Sequence, residues 1–172
     1  MAGRIHIYCG DGKGKTTAAL GLTLRASGAG KQVVFTQFFK DGSSSEIEPL
    51  KALEGVRVMH CKTVPGFFFR MSWEQQEQAT RDYTTLFHQV VEAAQNADLL
   101  VLDEMISACN HGVVPLEEVV SFLKTKPEQL EVVLTGRNPP QCLLELADYV
   151  TEMKKIKHPF DAGIPARKGI EY

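Results

Sequence analysis

The chain has 172 residues, of which 44% are hydrophobic and 23% are charged, and its formal net charge is −2. This length and composition predict one globular domain that spans residues 1–172. The near-neutral charge argues against a nucleic-acid-binding protein, and no apolar run is long enough to cross a bilayer. Small molecules are therefore the expected partners.

Two further signals predict a cytoplasmic protein. The first predicted strand begins within a few residues of Met1, which leaves no room for a secretory or transit segment. The cysteines are scattered and form no C-x-x-C pair, so we expect reduced thiols in the core at Cys9, Cys61, Cys109 and Cys142.

A glycine-rich segment joins the first predicted strand to the first predicted helix. It reads Gly10-Asp11-Gly12-Lys13-Gly14-Lys15-Thr16-Thr17. Glycines let successive backbone N–H groups turn towards an anion, and the N-terminus of the following helix adds a positive dipole. In such a loop Lys15 neutralises phosphate charge and the Thr16 hydroxyl ligates magnesium. The segment predicts a phosphate-binding loop, whereas a glycine-rich turn that binds nothing is the weaker alternative.

The loop is one residue shorter than the common NTPase pattern G-x-x-x-x-G-K-[ST]. The first glycine of that pattern would fall at Cys9, whereas the first glycine here is Gly10. The phosphates are therefore not expected to lie as they do in an ATPase.

Strand and helix patterns alternate along the chain. Strands are predicted at residues 4–8, 31–38, 56–60, 99–102, 130–135 and 149–156. Helices are predicted at residues 15–28, 46–53, 72–96, 116–123 and 138–147. Several of the strands are continuously apolar, which indicates an α/β fold with a mostly parallel sheet and helices on both faces. Because ligands bind at the carboxyl ends of such strands, the phosphate loop, Asp103, Glu104, Arg137 and the loop around Phe38 should meet there.

Asp103 and Glu104 follow the apolar run Leu99–Leu102, as acids do in a Walker B element. With Thr16 they would supply the oxygen ligands that magnesium prefers. Two solvated acids at the end of a strand are the alternative. Arg137 could contact a phosphate or a ribose, or it could be an ordinary surface arginine.

An apolar cluster without strand or helix periodicity precedes the long helix. It contains Phe67, Phe68, Phe69, Met71 and Trp73. These side chains could belong to the core, form a wall for a large apolar ligand, or contact a partner protein. Their position in a loop that begins with Pro65 and Gly66 favours an exposed binding role.

Taken together, these motifs resemble the corrinoid adenosyltransferases. The resemblance covers almost the whole chain and includes the phosphate loop, Val101-Leu102-Asp103-Glu104, Thr135-Gly136-Arg137 and Leu146-Ala147-Asp148. The most specific segment is the tail, Lys157-His158-Pro159-Phe160-Asp161-Ala162-Gly163-Ile164-Pro165-Ala166-Arg167-Lys168-Gly169-Ile170-Glu171-Tyr172.

The resemblance implies a RecA-like P-loop fold, a homodimer, and ATP bound in an orientation reversed from that in NTPases. It places Lys13, Gly14, Lys15 and Thr16 on the triphosphate, Arg25 and Arg137 near ATP, and Thr16 and Glu104 on magnesium. The loop pattern extends the expected ATP-binding set to residues 10–17, and the Walker B pattern adds Asp103 to the expected magnesium ligands. The resemblance also places Trp73 beside the corrinoid, and we expect the neighbouring Phe67, Phe68, Phe69 and Met71 to contact the corrinoid as well. Lys15, Thr16 and Glu104 are the expected catalytic residues.

The implied reaction transfers the 5′-deoxyadenosyl group of ATP to the cobalt(I) of cobalamin, cobinamide or cobyrinic acid a,c-diamide. Tripolyphosphate would leave, and the product would serve adenosylcobalamin biosynthesis or salvage. An external donor, flavodoxin or reduced flavin, would supply electrons.

Three features depart from the family pattern. Asp11 stands where asparagine is common, and Met71 stands where an aromatic residue is usual. The sequence also lacks the N-terminal extension that covers the active site in some members, so closure is expected to come from elsewhere or to be less complete.

Two other classes of function fit the same motifs. A P-loop kinase or ATPase would use Glu104 to orient water or substrate and would release ADP. A nucleotide-dependent binding module would use the Phe67–Trp73 cluster to dock a partner protein. The phosphate product distinguishes the three classes: an adenosyltransferase releases tripolyphosphate, a kinase or ATPase releases ADP, and a binding module releases neither.

Overall fold

The computed structural model describes residues 2–40, 42–61, 68 and 71–172. The strands are β1 (Ile5–Cys9), β2 (Val33–Gln37), β3 (Val56–His60), β4 (Leu99–Asp103), β5 (Glu131–Thr135) and β6 (Tyr149–Glu152). The helices are α1 (Lys15–Gly28), α2 (Ile47–Lys51), α3 (Trp73–Ala93), α4 (Met105–Asn110), α5 (Leu116–Thr125) and α6 (Gln141–Leu146).

The strands form one sheet in the order β3-β2-β4-β5-β1-β6, and every neighbouring pair is parallel. Alternate residues of the central strands face two different cores. Residues of α1 and α2 pack on one face, whereas those of α3, α4, α5 and α6 pack on the other. This confirms the predicted α/β fold with a parallel sheet and helices on both faces.

The long helix α3 begins where its sequence signal predicts. The Ser72 side chain accepts a hydrogen bond from the backbone N–H of Gln75, and the Gln75 side chain accepts one from the backbone N–H of Ser72. This capping box satisfies two N–H groups that a helix end leaves without partners. Tyr83, Phe87 and other apolar residues of the predicted stripe are buried, so α3 is attached to the sheet by its apolar face.

The structure differs from the predicted elements in three places. Helix α4 was not predicted, because it is short and begins only two residues after β4 ends. Helix α6 begins at Gln141 rather than Asn138, because Asn138 and Pro139 each precede a proline and a residue in that position disfavours the helical conformation. Strand β6 ends at Glu152 rather than Ile156, because the next backbone group bonds to the phosphate loop.

The four cysteines form no disulfide bond, and three of them are buried. Burial raises the pKa of the Cys109 thiol to about 12, so this thiol is protonated at neutral pH. Among the described residues, none of the helices combines the length and the apolar character that a bilayer-spanning segment needs.

Candidate functional site: a cleft at the carboxyl ends of the strands

A cleft of about 510 Å³ opens at the carboxyl ends of the strands. Its wall contains residues 11–17 of the predicted phosphate loop, together with Glu104 and Arg137. The structure therefore brings most of the predicted ATP-binding residues to one place. Arg25 does not line this cleft; it lies exposed in the last turn of α1.

The glycine-rich segment forms the turn between β1 and α1, as predicted. Gly14 precedes the first helical residue with a φ of 124°, in a region that favours glycine. The Lys15 ammonium donates hydrogen bonds to the carbonyl oxygens of Gly10, at 2.7 Å, and Gly12, at 2.8 Å. Burial lowers the pKa of Lys15, and the positive charge of Arg137 lowers it further. An anion at this helix N-terminus would therefore find a cation that few solvent molecules screen.

Packing against a distant segment also requires glycine at two positions of the loop, a requirement that the sequence did not reveal. The loop lies against the backbone that follows β6, and the N–H of Gly12 donates to the carbonyl oxygen of Met153 at 2.6 Å. A Cβ atom at Gly10 or at Gly12 would lie 2.6 Å from that same oxygen. Only glycine allows so close an approach of two backbone segments. The loop shape is thus fixed by packing as well as by its own dihedral angles.

Asp103 connects the loop to the end of β4. It is fully buried, and in the described part of the chain it accepts hydrogen bonds from four side chains. These are Thr16 at 2.9 Å, Thr135 at 2.7 Å, Gln37 at 3.2 Å and Lys40 at 3.2 Å. The carboxylate therefore fixes the Thr16 hydroxyl at the start of α1 from behind the cleft wall.

Glu104 turns out of β4 into the cleft. Its φ of 61° is in the left-handed region, which is uncommon for a residue with a side chain, and its N–H donates to the Thr135 hydroxyl at 2.9 Å. The Ser107 hydroxyl donates to the Glu104 carboxylate at 2.6 Å. This strained turn directs one carboxylate towards the loop while its neighbour Asp103 stays buried.

These oxygen donors fit a magnesium ion. Magnesium is usually held by one or two carboxylates and a substrate phosphate, and it keeps several water molecules. Thr16 and Glu104 line the cleft, with Asp103 behind Thr16. The Gln37 amide oxygen beside Asp103 is buried and has no hydrogen-bond partner within the described ranges.

Asp11 and Arg137 lie at the cleft rim. The Asp11 carboxylate is 3.8 Å from Arg137 Nε, and both side chains are more than 60% exposed. Such an exposed pair is weak and can open at little cost. The extra carboxylate of Asp11 therefore faces solvent and an arginine, rather than the buried floor of the loop.

The apolar cluster before α3 is partly described. Trp73, the first residue of α3, is 72% exposed, whereas Phe68 and Met71 pack against the core. The Phe68 ring lies 5.5 Å from that of Phe39. Phe67 and Phe69 lie outside the described residues. Trp73 is thus the described member of this cluster whose surface is open to a large apolar ligand.

The cleft also contains residues to which the sequence analysis assigned no role in the site. Lys40, Ser45 and Glu46 come from the loop after β2, while His158, Ala166 and residues 169–172 come from the C-terminal segment. Hydrogen bonds from Arg167 hold the pKa of Glu171 at about 2, so Glu171 is anionic at neutral pH. Topology places the loop after β2 at this edge of the sheet, but it does not indicate that Lys40 is the side chain of that loop that enters the cleft.

The chain matches the family described as ATP:corrinoid adenosyltransferase BtuR/CobO/CobP over residues 1–172. It is 37% identical to the corrinoid adenosyltransferase of Escherichia coli K12 over 174 residues, covering 99% of this chain and 86% of that protein. Corrinoid adenosyltransferase CobA of Salmonella typhimurium is equally similar, at 37% identity with the same coverage. The Pseudomonas aeruginosa corrinoid adenosyltransferase is 34% identical, covering 99% of this chain and 84% of that protein.

A solved structure supports the fold independently. The crystal structure of a KaiC-like protein from Pyrococcus horikoshii superposes with a TM-score of 0.55 at 16% identity. The match covers 91% of this chain and 75% of that chain. At so low an identity it bears on the fold alone, and it confirms the predicted RecA-like P-loop architecture.

Proposed function

Because the chain belongs to the ATP:corrinoid adenosyltransferase family and is an adenosyltransferase of the cobalamin pathway, we propose the detailed reaction that its cleft performs. It transfers the 5′-deoxyadenosyl group of ATP to the cobalt(I) of a corrinoid and releases intact tripolyphosphate. The substrate is cobalamin, cobinamide or cobyrinic acid a,c-diamide. The observation that carries this proposal is the convergence of Lys13, Lys15 and Thr16 with Glu104 and Arg137 around one cleft.

The cleft suits a reaction whose main demand is charge stabilisation. Cobalt(I) is a strong nucleophile, so its electron pair attacks the ribose C5′ directly, a Co–C bond forms, and the C5′–O bond to the triphosphate breaks. No side chain has to remove a proton. The protein must hold C5′ in line with cobalt and stabilise the charge of the departing tripolyphosphate. Lys13, Lys15 and Arg137 supply cations for that purpose, and the N-terminus of α1 adds backbone N–H groups.

Magnesium is the proposed cofactor, held by Thr16 and Glu104 with support from Asp103. When bound, it would neutralise part of the triphosphate charge. The residues keep their own roles: Asp103 orients the Thr16 hydroxyl, and Ser107 orients the Glu104 carboxylate. Such hydrogen bonds typically fix the ligands of a metal site.

The shortened loop supports the reversed orientation of ATP. In an NTPase the γ-phosphate faces the catalytic side, whereas here C5′ must face the corrinoid.

We also propose a homodimer and an external electron donor, flavodoxin or reduced flavin, that reduces the corrinoid to the cobalt(I) state. Both proposals rest on the family.

The proposed reaction is tested in an anaerobic assay with ATP, magnesium and chemically reduced cob(I)alamin. We expect the cobalt(I) spectrum to be replaced by that of a light-sensitive alkylcobalamin at a rate that depends on enzyme concentration. Parallel reactions with cobinamide and cobyrinic acid a,c-diamide rank the corrinoids by kcat/KM. Persistence of cobalt(I) with all three corrinoids would contradict the proposal.

Trp73→Ala is expected to raise the KM for the corrinoid by about 10-fold to 100-fold while leaving ATP affinity unchanged. The indole is 72% exposed, so its removal costs little packing in the free protein, whereas covering a large aromatic ring with a ligand contributes about 1.5–3 kcal/mol. Trp73→Phe should retain most of the affinity. Steady-state kinetics and ATP calorimetry separate the two ligands, and equal losses for both would instead indicate a structural role.

A further inference from the structure

Lys40 occupies a position in the cleft that the proposed function leaves unexplained. Its Nζ is 3.2 Å from Asp103 Oδ2 and 3.6 Å from Glu46 Oε1. The side chain is 29% exposed and lines the same cleft as Lys13 and Lys15. Lys40 is therefore a half-buried cation at the floor of an anion-binding cleft.

The backbone before Lys40 is held in an unusual conformation. Phe39 has a φ of 58°, which costs a residue with a side chain about 1–2 kcal/mol. Its ring packs between those of Phe68, at 5.5 Å, and Tyr83, at 5.7 Å. This packing holds the left-handed turn, and the turn brings Lys40 back over the end of β4. Backbone strain of this kind concentrates at functional sites.

The position of the ammonium relative to α1 indicates which ligand it can reach. The Thr16 hydroxyl and Lys40 Nζ both lie within 3.2 Å of the Asp103 carboxylate. Lys40 is thus a close neighbour of Thr16, at the helix end where a phosphate would bind. Any phosphate in contact with Thr16 would come within reach of the flexible Lys40 side chain.

A purely structural role for Lys40 explains less of this geometry. Asp103 already accepts hydrogen bonds from the hydroxyls of Thr16 and Thr135 and from the Gln37 amide. The contacts of Lys40 with the two carboxylates, at 3.2 and 3.6 Å, are longer than the 2.7–2.9 Å of a strong charge-assisted hydrogen bond. The cation is therefore loosely held by two acids and can turn to a more highly charged anion.

We propose that Lys40 is a third lysine contact of the triphosphate, beside Lys13 and Lys15. Asp103 and Glu46 hold its ammonium at the cleft floor, and the arriving triphosphate attracts it away from them. The proposal rests on the proposed function for the identity of the anion. It assigns to the loop after β2 a direct part in nucleotide binding.

The test uses calorimetry with tripolyphosphate as the probe, first without metal and then with magnesium. Lys40→Met keeps the apolar stem and removes the charge, and Lys40→Arg restores a cation. A matched control is Lys51→Ala, which removes a lysine paired with Glu48 on α2, outside the cleft. Losing a hydrogen bond to a charged group predicts that Lys40→Met weakens tripolyphosphate binding by about 10-fold to 100-fold. Lys40→Arg should recover part of this loss, and Lys51→Ala should show none.

Thermal unfolding without ligand distinguishes a contact from a structural ion pair. If Lys40→Met lowers the Tm but leaves the Kd of tripolyphosphate unchanged, the ion pair is structural and the proposal is wrong. If the wild-type protein transfers the adenosyl group but Lys40→Met binds tripolyphosphate with the wild-type Kd, only the Lys40 proposal fails. If tripolyphosphate binding depends on Lys40 but no adenosyl transfer occurs, the Lys40 contact stands and the proposed function fails.

Discussion

Lys15→Ala is expected to weaken tripolyphosphate binding at least about 100-fold while leaving the fold intact. Lys15 is the first residue of α1 and is 9% exposed, and two loop carbonyl oxygens orient its ammonium. A charge so shielded from water interacts strongly with an anion, and each hydrogen bond to a charged group contributes about 1.5–3 kcal/mol. Calorimetry with tripolyphosphate and ATP measures the loss.

The same environment explains why the fold should survive this substitution. Burial and Arg137 lower the pKa of Lys15, so protonated Lys15 is less favourable in the folded than in the unfolded chain. This destabilisation is present at neutral pH and is fully lost once the pH exceeds the unfolded-state pKa of Lys15. Because alanine carries no ammonium, Lys15→Ala also removes this destabilisation. Lys124→Ala, in the exposed last turn of α5, is the matched control. Unimpaired triphosphate binding in Lys15→Ala would show that the loop does not bind phosphate.

Gly12→Ala is expected to lower the free energy of unfolding by about 1–3 kcal/mol and to abolish nucleotide binding. The added Cβ would lie 2.6 Å from the Met153 carbonyl oxygen and 2.9 Å from two backbone carbon atoms. Backbone atoms cannot move aside as a flexible side chain can, so the loop and the end of β6 must separate. That movement also strains the hydrogen bond from Gly12 to Met153 and changes the backbone conformation of the loop that would surround the phosphates.

Gly21→Ala provides a matched control within the adjoining helix. Nothing lies within 4 Å of a Cβ atom at Gly21, which is exposed in the middle of α1. Alanine there should stabilise the protein by about 0.5–1 kcal/mol, because glycine loses more backbone entropy in a helix. Urea unfolding monitors both variants. Equal stability of Gly12→Ala and the wild type would contradict the close approach of the loop to β6.

The sequence predicts those features of the site that depend on local patterns. The glycines and Lys15 lie between a strand and a helix, and Asp103 closes an apolar run, so topology alone brings them to the same edge. The Ser72–Gln75 capping box is equally local, and it places Trp73 at the start of α3. The spacing of apolar residues and the residues that begin and end helices determine such features before any tertiary contact forms.

Features that depend on contacts between distant segments could not be predicted in this way. The requirement for glycine at position 12 comes from Met153, which is 141 positions later, and no local pattern indicates that approach. Lys40 enters the cleft because Phe39 adopts a left-handed conformation, and phenylalanine carries no signal for one. Glu171 and Tyr172 reach the cleft wall through the irregular C-terminal segment. Tertiary packing sets all three.

The most direct test of the central claim is phosphorus NMR of the phosphate product formed from ATP during anaerobic adenosylation of cob(I)alamin. Attack of cobalt at C5′ leaves the three phosphates joined, so the account predicts tripolyphosphate in a 1:1 ratio with the alkylcobalamin. Formation of ADP and inorganic phosphate in proportion to turnover would contradict it, because the enzyme would then cleave at the γ-phosphate, as a kinase or an ATPase does.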